Sequence, residues 1–162
     1  MIWAAFTVLV LIAAVADARS YRIPNWISLA LAGLFVIALT VAVAMNGQPI
    51  QDFWPHILTG AAILALGYAL YQFTGMGAGD AKLAAAIGLW VGFDGLYMWT
   101  FTLAVAMAML AFGLIVLRRA LPAGISEKTR VFQKGAPVPL GVAIGLSAIA
   151  ASPWFNRALF GF

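Results

Sequence analysis

Cysteine is absent from the sequence, histidine occurs once, and charged residues make up only 9% of the 162 positions. The lack of cysteine excludes disulfide bonds, thiolate metal sites and cysteine nucleophiles. A single histidine also argues against a histidine-based metal site, so no metal or cofactor is expected. Hydrophobic residues account for 65% of the chain, and the mean hydropathy is +1.03. Because a soluble domain is about half apolar and a quarter charged, this composition excludes a soluble enzyme and a disordered chain and predicts an integral membrane protein.

Long apolar runs divide the chain into membrane-spanning segments. They cover residues 1–16, 26–45, 53–73, 83–117 and 138–154. The fourth run has 35 residues, and one helix of that length would extend roughly 52 Å, whereas the hydrocarbon core is about 30 Å thick. Two helices separated at Gly92–Gly95 fit the bilayer better. The sequence therefore predicts an all-α fold with about six transmembrane helices in a single transmembrane domain, residues 1–162.

The distribution of basic residues predicts the orientation of these helices. With six spans and both termini outside, nearly all of the basic residues lie on the cytoplasmic side, in agreement with the positive-inside rule. They are Arg19, Arg22, Lys82, Arg118, Arg119, Lys128, Arg130 and Lys134, whereas Arg157 lies outside. The excess of positive charge is thus typical of cytoplasmic loops and indicates no nucleic-acid partner. We expect the inner loop, residues 118–137, mainly to orient the protein.

Two features of this topology leave alternatives open. The fourth span, about Leu83 to Val91, is too short to cross a bilayer at about 1.5 Å per residue, so either its helix begins earlier or the membrane is thinner beside it. The small residues of Ala14-Val15-Ala16 are similar to a signal-peptide cleavage site. No Lys or Arg precedes the apolar run, however, so we expect the first segment to be a span.

The chain has five carboxylates, and an ionisable group at membrane depth is costly enough to mark a functional candidate. Asp52 and Asp94 fall in predicted outer turns and Glu127 in the inner loop, where solvated surface groups are expected. Asp17 and Asp80 instead lie at the inner ends of the first and fourth spans. Although they are distant in sequence, they share one face at a similar depth, which suggests an aspartyl dyad.

An aspartyl dyad has a specific chemistry. Two carboxylates a few ångströms apart cannot both ionise cheaply, so they share a proton and titrate as a pair. The ionised partner takes a proton from water while the protonated partner polarises the scissile carbonyl, and the amide is hydrolysed without a metal or a covalent intermediate. No other catalytic set can be assembled, because the only histidine, His56, is predicted at the outer interface.

The residues around Asp80 are compatible with a catalytic site, but each also has an ordinary structural explanation. Gly77 and Gly79 would let a substrate strand approach the carboxylate, because glycine tolerates close backbone approach and positive φ angles. Glycine-rich turns between helices are nevertheless common. Lys82 would balance charge or anchor the start of the helix.

The segment after Asp17 is equally open to two interpretations. Pro24 biases Ile23 away from helical geometry and separates the first two spans. Arg22, like Arg19, is expected to extend to the interface as a positive-inside anchor. Asn25 would either cap the next helix or contribute to the site.

Together these motifs resemble the type IV prepilin peptidases, which are membrane aspartyl proteases of the GxGD kind. The resemblance covers essentially the whole chain. It is carried by Asp17 with Arg22-Ile23-Pro24-Asn25, by Gly77-Ala78-Gly79-Asp80-Ala81-Lys82, and by Val138-Pro139-Leu140-Gly141-Val142-Ala143-Ile144-Gly145.

The resemblance implies a function and a set of roles. Asp17 and Asp80 would be the catalytic pair. Residues that would bind the substrate or support the site are Gly77, Gly79, Lys82, Arg22 and Asn25. The protein would be a multi-pass protein of the cytoplasmic (inner) membrane, in contact with lipid, and no cofactor is implied. It would remove the short basic leader of a prepilin or pseudopilin after a glycine at the cytoplasmic face.

The sequence departs from the larger members of that family in two places. It lacks the long N-terminal cytoplasmic segment with paired Cys-x-x-Cys motifs and begins directly in the first span, so it is similar to the short form associated with Flp-type tight-adherence pili. This departure argues against the N-methylation that larger members perform. Val142 occupies a position where many relatives have a second proline, a change expected to matter little for catalysis. Archaeal preflagellin peptidases share the plan with two aspartates and stay an alternative.

Two other classes of protein fit the same composition. A small transporter coupled to ions or protons would use Asp17 and Asp80 to bind a cation or relay protons. Such proteins usually place their site near mid-membrane, whereas both aspartates are predicted near the inner edge. A non-catalytic membrane subunit that assembles a pilus or secretion machine would tolerate the loss of both carboxylates.

Overall fold

The structure is a computed structural model that describes residues 1–120, 130–133 and 135–160. The described residues are almost entirely helical, with five long α-helices. These are α1 (Ile2–Ser20), α2 (Asn25–Asn46), α3 (Trp54–Thr74), α4 (Ala78–Ala120) and α5 (Leu140–Phe160), with short 3₁₀ helices at Ile50–Phe53 and Arg130–Phe132. Glu127, Lys128 and Lys134, which the sequence predicts in the inner loop, lie outside the described residues.

Four stretches of the described chain are long and apolar enough to cross a membrane. They are Ile2–Ser20, Asn25–Met45, Ile50–Thr74 and Ala78–Ala120, and a shorter apolar helix covers Leu140–Phe155. Large apolar side chains are exposed on their outer faces, among them Leu29, Tyr97 and Phe112. Such exposure is a liability in water and is expected where a helix faces lipid. The fold is that of an all-α membrane protein, while the count of six spans and the outer position of both termini stay predictions.

The helix ends follow from residues that stop a helix locally. Pro24 has extended backbone geometry (φ −61°, ψ 134°) and directly precedes α2. Gly47 (φ 67°) ends α2 and Gly75 (φ 74°) ends α3, both in the left-handed region that glycine adopts without steric cost. Tyr21 ends α1 in the same region (φ 52°), and its N–H donates to the carbonyl of Asp17 at 2.8 Å.

A break at Gly92 divides α4 into two parts, residues 78–91 and 93–120. The backbone of Gly92 (φ 60°, ψ −177°) is in a region that only glycine enters readily. This confirms a break in the 35-residue apolar run at Gly92, the first residue of the predicted break Gly92–Gly95. Phe93, Asp94 and Gly95 are helical, however, so the predicted turn at those residues is wrong. The first part begins at Ala78, earlier than predicted, so the helix starts ahead of Leu83.

The tightest packing of the bundle involves the first part of α4 and α3. A Cβ on Gly88 would lie 3.2 Å from the Cα of Gly60, and one on Gly67 would lie 2.8 Å from the Cβ of Ala81. Small residues allow this close approach, which matters in a bilayer because lipid tails are as apolar as the side chains and packing must hold the helices together. Trp90 is fully buried, and its indole N–H donates to the carbonyl of Leu31 at 3.1 Å, which attaches α4 to α2.

Candidate active site

The two aspartates singled out in the sequence lie at the same end of the helix bundle. Asp17 is in the last turn of α1 and is only 3% exposed, and Asp80 is in the first turn of α4 and is partly exposed. Both residues lie near Ile23, because Ile23 packs against Gly79, which precedes Asp80, and against Gly141, which lies next to Asp17. The structure therefore places the two predicted residues beside the same connection between α1 and α2, with Asp17 buried and Asp80 partly exposed.

The start of α5 positions the carboxylate of Asp17. The backbone N–H of Val142 donates to Oδ2 of Asp17 at 3.2 Å, and the N–H of Gly141 faces the same carboxylate. The N-terminal end of a helix carries partial positive charge, so it is a favourable partner for a carboxylate. A Cβ on Gly141 would lie 3.0 Å from both Cβ and Cγ of Asp17, so glycine is what allows α5 to come this close.

Local helix chemistry orients Asp80. Gly77 accepts the first hydrogen bonds of α4, from the N–H groups of Asp80 (3.1 Å) and Ala81 (3.2 Å), and is therefore the N-cap residue. The Asp80 side chain lies back toward Gly77, the position that an acidic residue three positions after an N-cap commonly takes. A Cβ on Gly77 would lie only 2.7 Å from Oδ2 of Asp80, so Gly77 leaves the space that the carboxylate occupies.

Gly79 lets α4 begin directly against the connection between α1 and α2. Its Cβ, if present, would lie 3.2 Å from the carbonyl oxygen of Ile23 and 3.3 Å from the Cβ of that residue. Ile23 is buried, and its Cδ1 also lies against Gly141. Ile23 therefore packs between the starts of α4 and α5. The start of α4 contains Asp80, and the start of α5 contains the N–H group that binds Asp17.

Lys82 and Asn25 form a direct link between α4 and α2. Nζ of Lys82 donates to Oδ1 of Asn25 at 3.0 Å. Helix α2 begins after Pro24 without a side-chain capping bond, so the alternative in which Asn25 caps the helix is wrong. Asn25 instead holds Lys82 beside the first turn of α4.

A cleft of about 280 Å³ opens next to Asp80. Arg22 is exposed at this cleft. The lining residues are Tyr21, Arg22, Ile23, Asn25, Gly77, Ala78, Gly79 and Asp80. Four of the five residues predicted to support the site thus line the cleft. The fifth, Lys82, is hydrogen-bonded to Asn25, which lines it. Asp17 does not line it, so a molecule in the cleft meets Asp80 first.

Three residues near the site were not singled out from the sequence. Val142, expected to matter little, supplies through its N–H a hydrogen bond that proline could not make. The hydroxyl of Tyr21 donates to the carbonyl of Pro137 at 3.0 Å, and Arg118 donates to the carbonyls of Ala136 at 2.8 Å and Pro137 at 3.2 Å. No local pattern identifies these partners, because each bond joins distant parts of the chain.

Arg118 also anchors the described part of the inner loop. Its Nε and Nη2 both donate to the carbonyl of Val131, at 3.0 Å and 2.7 Å. Together with the bonds to residues 136 and 137, this fixes the segment immediately before α5. Arg118 therefore has a structural role beyond the orientation expected for this loop.

The remaining carboxylates and the histidine lie apart from the pair. Asp52 and Asp94 are exposed, as expected for solvated groups. His56 is 5% exposed, so its side chain packs inside the bundle, while its position at the outer interface stays a prediction. Its Nδ1 lies 2.8 Å from the carbonyl oxygen of Leu89, and its ring packs below the break at Gly92.

Fold and site together define a helical membrane protein with two carboxylates at one end of its bundle. The sequence model of the type IV leader peptidase family matches residues 4–116, and the chain belongs to this family. The match includes both Asp17 and Asp80 and confirms the resemblance to this family over residues 4–116, whereas the motif at Val138–Gly145 lies outside the matched residues. Membership implies a multi-pass membrane protease with prepilin-type substrates. No curated protein and no solved structure matches the chain.

Proposed function

We propose that the protein is a membrane-embedded aspartyl endopeptidase that removes the leader of Flp-like prepilins after a glycine at the cytoplasmic face of the inner membrane. The observation that carries this proposal is that Asp17 and Asp80 lie on different helices at one end of the bundle, each next to a glycine contact of Ile23. The family match supports the class of reaction. No substrate is needed to form the pair, because helix starts and close glycine contacts already position both side chains.

The two carboxylates act as one unit with a shared proton. The ionised carboxylate accepts a proton from a water molecule, whose oxygen attacks the carbonyl carbon of the scissile amide. The protonated carboxyl group donates a hydrogen bond to the carbonyl oxygen, where negative charge develops. When the C–N bond breaks, the leaving nitrogen receives a proton from the pair, which returns to its starting state.

The cleft beside Asp80 determines how the peptide approaches. Asp80 lines the cleft and Asp17 is buried behind it, so the scissile bond enters from the side of the α1–α2 connection. Gly77 and Gly79 line the same cleft and leave room for an extended strand, which is the conformation that exposes a peptide bond.

Two alternatives make different predictions. A transporter coupled to ions or protons would place its acidic groups along a path through the bundle, whereas Asp17 and Asp80 lie at helix ends. A non-catalytic assembly subunit would require neither carboxylate. Both are tested by the same substitutions.

The deciding experiment is a cleavage assay. The chain is co-expressed with each of several short prepilins, and the N-terminus of the pilin is read by mass spectrometry for the wild type, Asp17→Asn and Asp80→Asn. Cleavage after a glycine, reduced by at least about 100-fold in each variant, is expected because both carboxylates take part in proton transfer.

The matched controls are Asp52→Asn and Asp94→Asn, which change exposed aspartates away from the pair and should retain activity. Full cleavage in either Asp17→Asn or Asp80→Asn would refute the dyad. Proton-coupled uptake in vesicles that depends on the same two residues would favour the transporter.

A further inference from the structure

Helices α2 and α3 leave a groove between them over the first part of α4. Each of the two packs against α4 but hardly against the other. The resulting groove has a volume of about 520 Å³. Small residues form much of its surface, including Ala85 and Ala86 from α4 and Ala61 from α3. Small side chains allow another helix to approach closely within a membrane.

The groove is adjacent to the cleft beside Asp80. Asn25 lines both, and Lys82 lines the groove and also a smaller pocket that reaches Ala78, which itself lines the cleft. A molecule in the groove would therefore extend to the first turn of α4, where Asp80 lies.

One face of α3 forms the long wall of this surface. Ile57, Ala61, Leu64, Tyr68 and Tyr71 follow each other at alternating spacings of four and three residues, so they lie on one side of the helix. All five are exposed, although they line the groove or the pocket that continues it. The stripe is about 21 Å long, long enough to lie against several turns of a helix.

One residue in the wall of the groove has a buried hydroxyl. Ser28 lines the groove and is 8% exposed, and its Oγ has no hydrogen-bond partner among the described residues. Buried polar groups are nearly always hydrogen-bonded.

The groove is polar at one end and apolar at the other, as expected for a substrate with an extended cleavage site followed by an apolar helix. The polar lining residues, Asn25, Ser28 and Lys82, lie toward the end near Asp80, while Leu89 and Ile57 lie at the other end. A peptide that is extended at its cleavage site and then continues as an apolar helix has the same arrangement.

We infer that the groove between α2 and α3 holds the apolar helix of the protein substrate while its scissile bond lies at Asp80. This inference rests on the proposed function, because it names where that substrate binds. The helix lies along the stripe on α3, with the end nearest its scissile bond beside Asn25 and Lys82.

Ala61 and Ala62 provide a matched test. They are adjacent on α3 and both exposed, but Ala61 lines this groove and Ala62 lines a different cavity, of about 780 Å³, between α3 and the second part of α4. A photoreactive phenylalanine analogue is placed at either position in the full-length chain carrying Asp80→Asn. The probe is a synthetic peptide with a short basic leader, a glycine and an apolar helix of about 20 residues, reconstituted with the protein in vesicles.

Crosslinking to the peptide from position 61 and not from position 62 is the expected result. Crosslinking from position 62, or only to lipid from position 61, would overturn the inference if the wild-type chain cleaves the same peptide. Failure of the wild type to cleave any such peptide, together with no crosslink, would instead refute the proposed function and the inference with it.

A second measurement uses cleavage kinetics. Ala61→Trp fills the groove and should raise KM by about tenfold or more, because overpacking a contact of this kind is costly. Ala62→Trp, one position away, should leave KM unchanged. Equal effects of the two changes would also overturn the inference.

Discussion

The backbone N–H of Val142 donates to Oδ2 of Asp17 at 3.2 Å and so joins the end of α1 to the start of α5. This bond connects residues that are 125 positions apart in sequence. The donor is a backbone N–H group, so its position does not depend on the conformation of the Val142 side chain. The position of Asp17 is therefore set by the packing of α5 against α1, and substitutions that alter this packing should alter catalysis.

Gly141→Ala tests this dependence. Its Cβ would lie 2.6 Å from Cδ1 of Ile23 and 3.0 Å from Cβ and Cγ of Asp17, so α5 must move away. We expect a loss of about 1–3 kcal/mol in stability and a strong loss of cleavage. Thermal unfolding in detergent and the cleavage assay measure the two effects.

Gly145→Ala is the control, one turn further along α5. Its Cβ would meet Val10 and Ala14 at 3.2 Å or more and would not touch Asp17. Activity per folded molecule should stay near that of the wild type. If both variants lose activity equally, the contact at Asp17 is not the cause.

Gly77→Ala should damage catalysis with little effect on folding. The added Cβ would lie 2.7 Å from Oδ2 of Asp80, so the short carboxylate side chain must shift. A misplacement of about 1 Å can reduce the rate by about 100-fold, whereas replacing glycine by alanine at an N-cap costs about 1 kcal/mol or less. The measurement is kcat together with thermal stability.

Gly33→Ala is the matched control, since a Cβ there meets nothing within 4 Å. It should keep full activity. Wild-type kcat for Gly77→Ala would show that the position of the Asp80 carboxylate is not critical.

The bond from Lys82 to Asn25 should appear as an energetic coupling between the two residues. Both side chains are exposed, so the coupling is expected to be at most about 1 kcal/mol. Lys82→Met, Asn25→Ala and the double variant form a cycle, measured by thermal unfolding. Strictly additive effects would indicate that the bond contributes nothing to stability.

Gly92→Ala should destabilise the whole fold. Alanine enters the backbone geometry of Gly92 (φ 60°, ψ −177°) only at a cost of about 1–3 kcal/mol. Its Cβ would in addition lie 2.8–3.0 Å from the ring of His56. Gly113→Ala, where a Cβ meets nothing within 4 Å, is the control in the same helix and should fold normally.

Arg118→Gln should loosen the segment before α5. Four guanidinium hydrogen bonds to the carbonyls of residues 131, 136 and 137 would be lost or weakened. We expect proteolysis within residues 130–139 to become severalfold faster. Arg119→Gln removes the same charge from an exposed neighbour and should leave the rate unchanged.

Much of the fold and the two central residues could be predicted from the sequence. Apolar runs indicate spanning helices because backbone groups in a bilayer must be bonded within a helix. Gly92 stood out because a 35-residue apolar run exceeds the bilayer thickness. Asp17 and Asp80 stood out because carboxylates are rare and costly at helix ends inside a membrane.

The sequence by itself determined the class of protein, the helices and the identity of the two aspartates, since each follows from local composition or spacing. Only the tertiary structure decided which groups those aspartates meet. The N–H of Val142 on Asp17, the link from Lys82 to Asn25 and the burial of His56 under Gly92 all join separate helices. Such partners depend on how helix surfaces pack against one another, and helical periodicity specifies a face of a helix but not its neighbour.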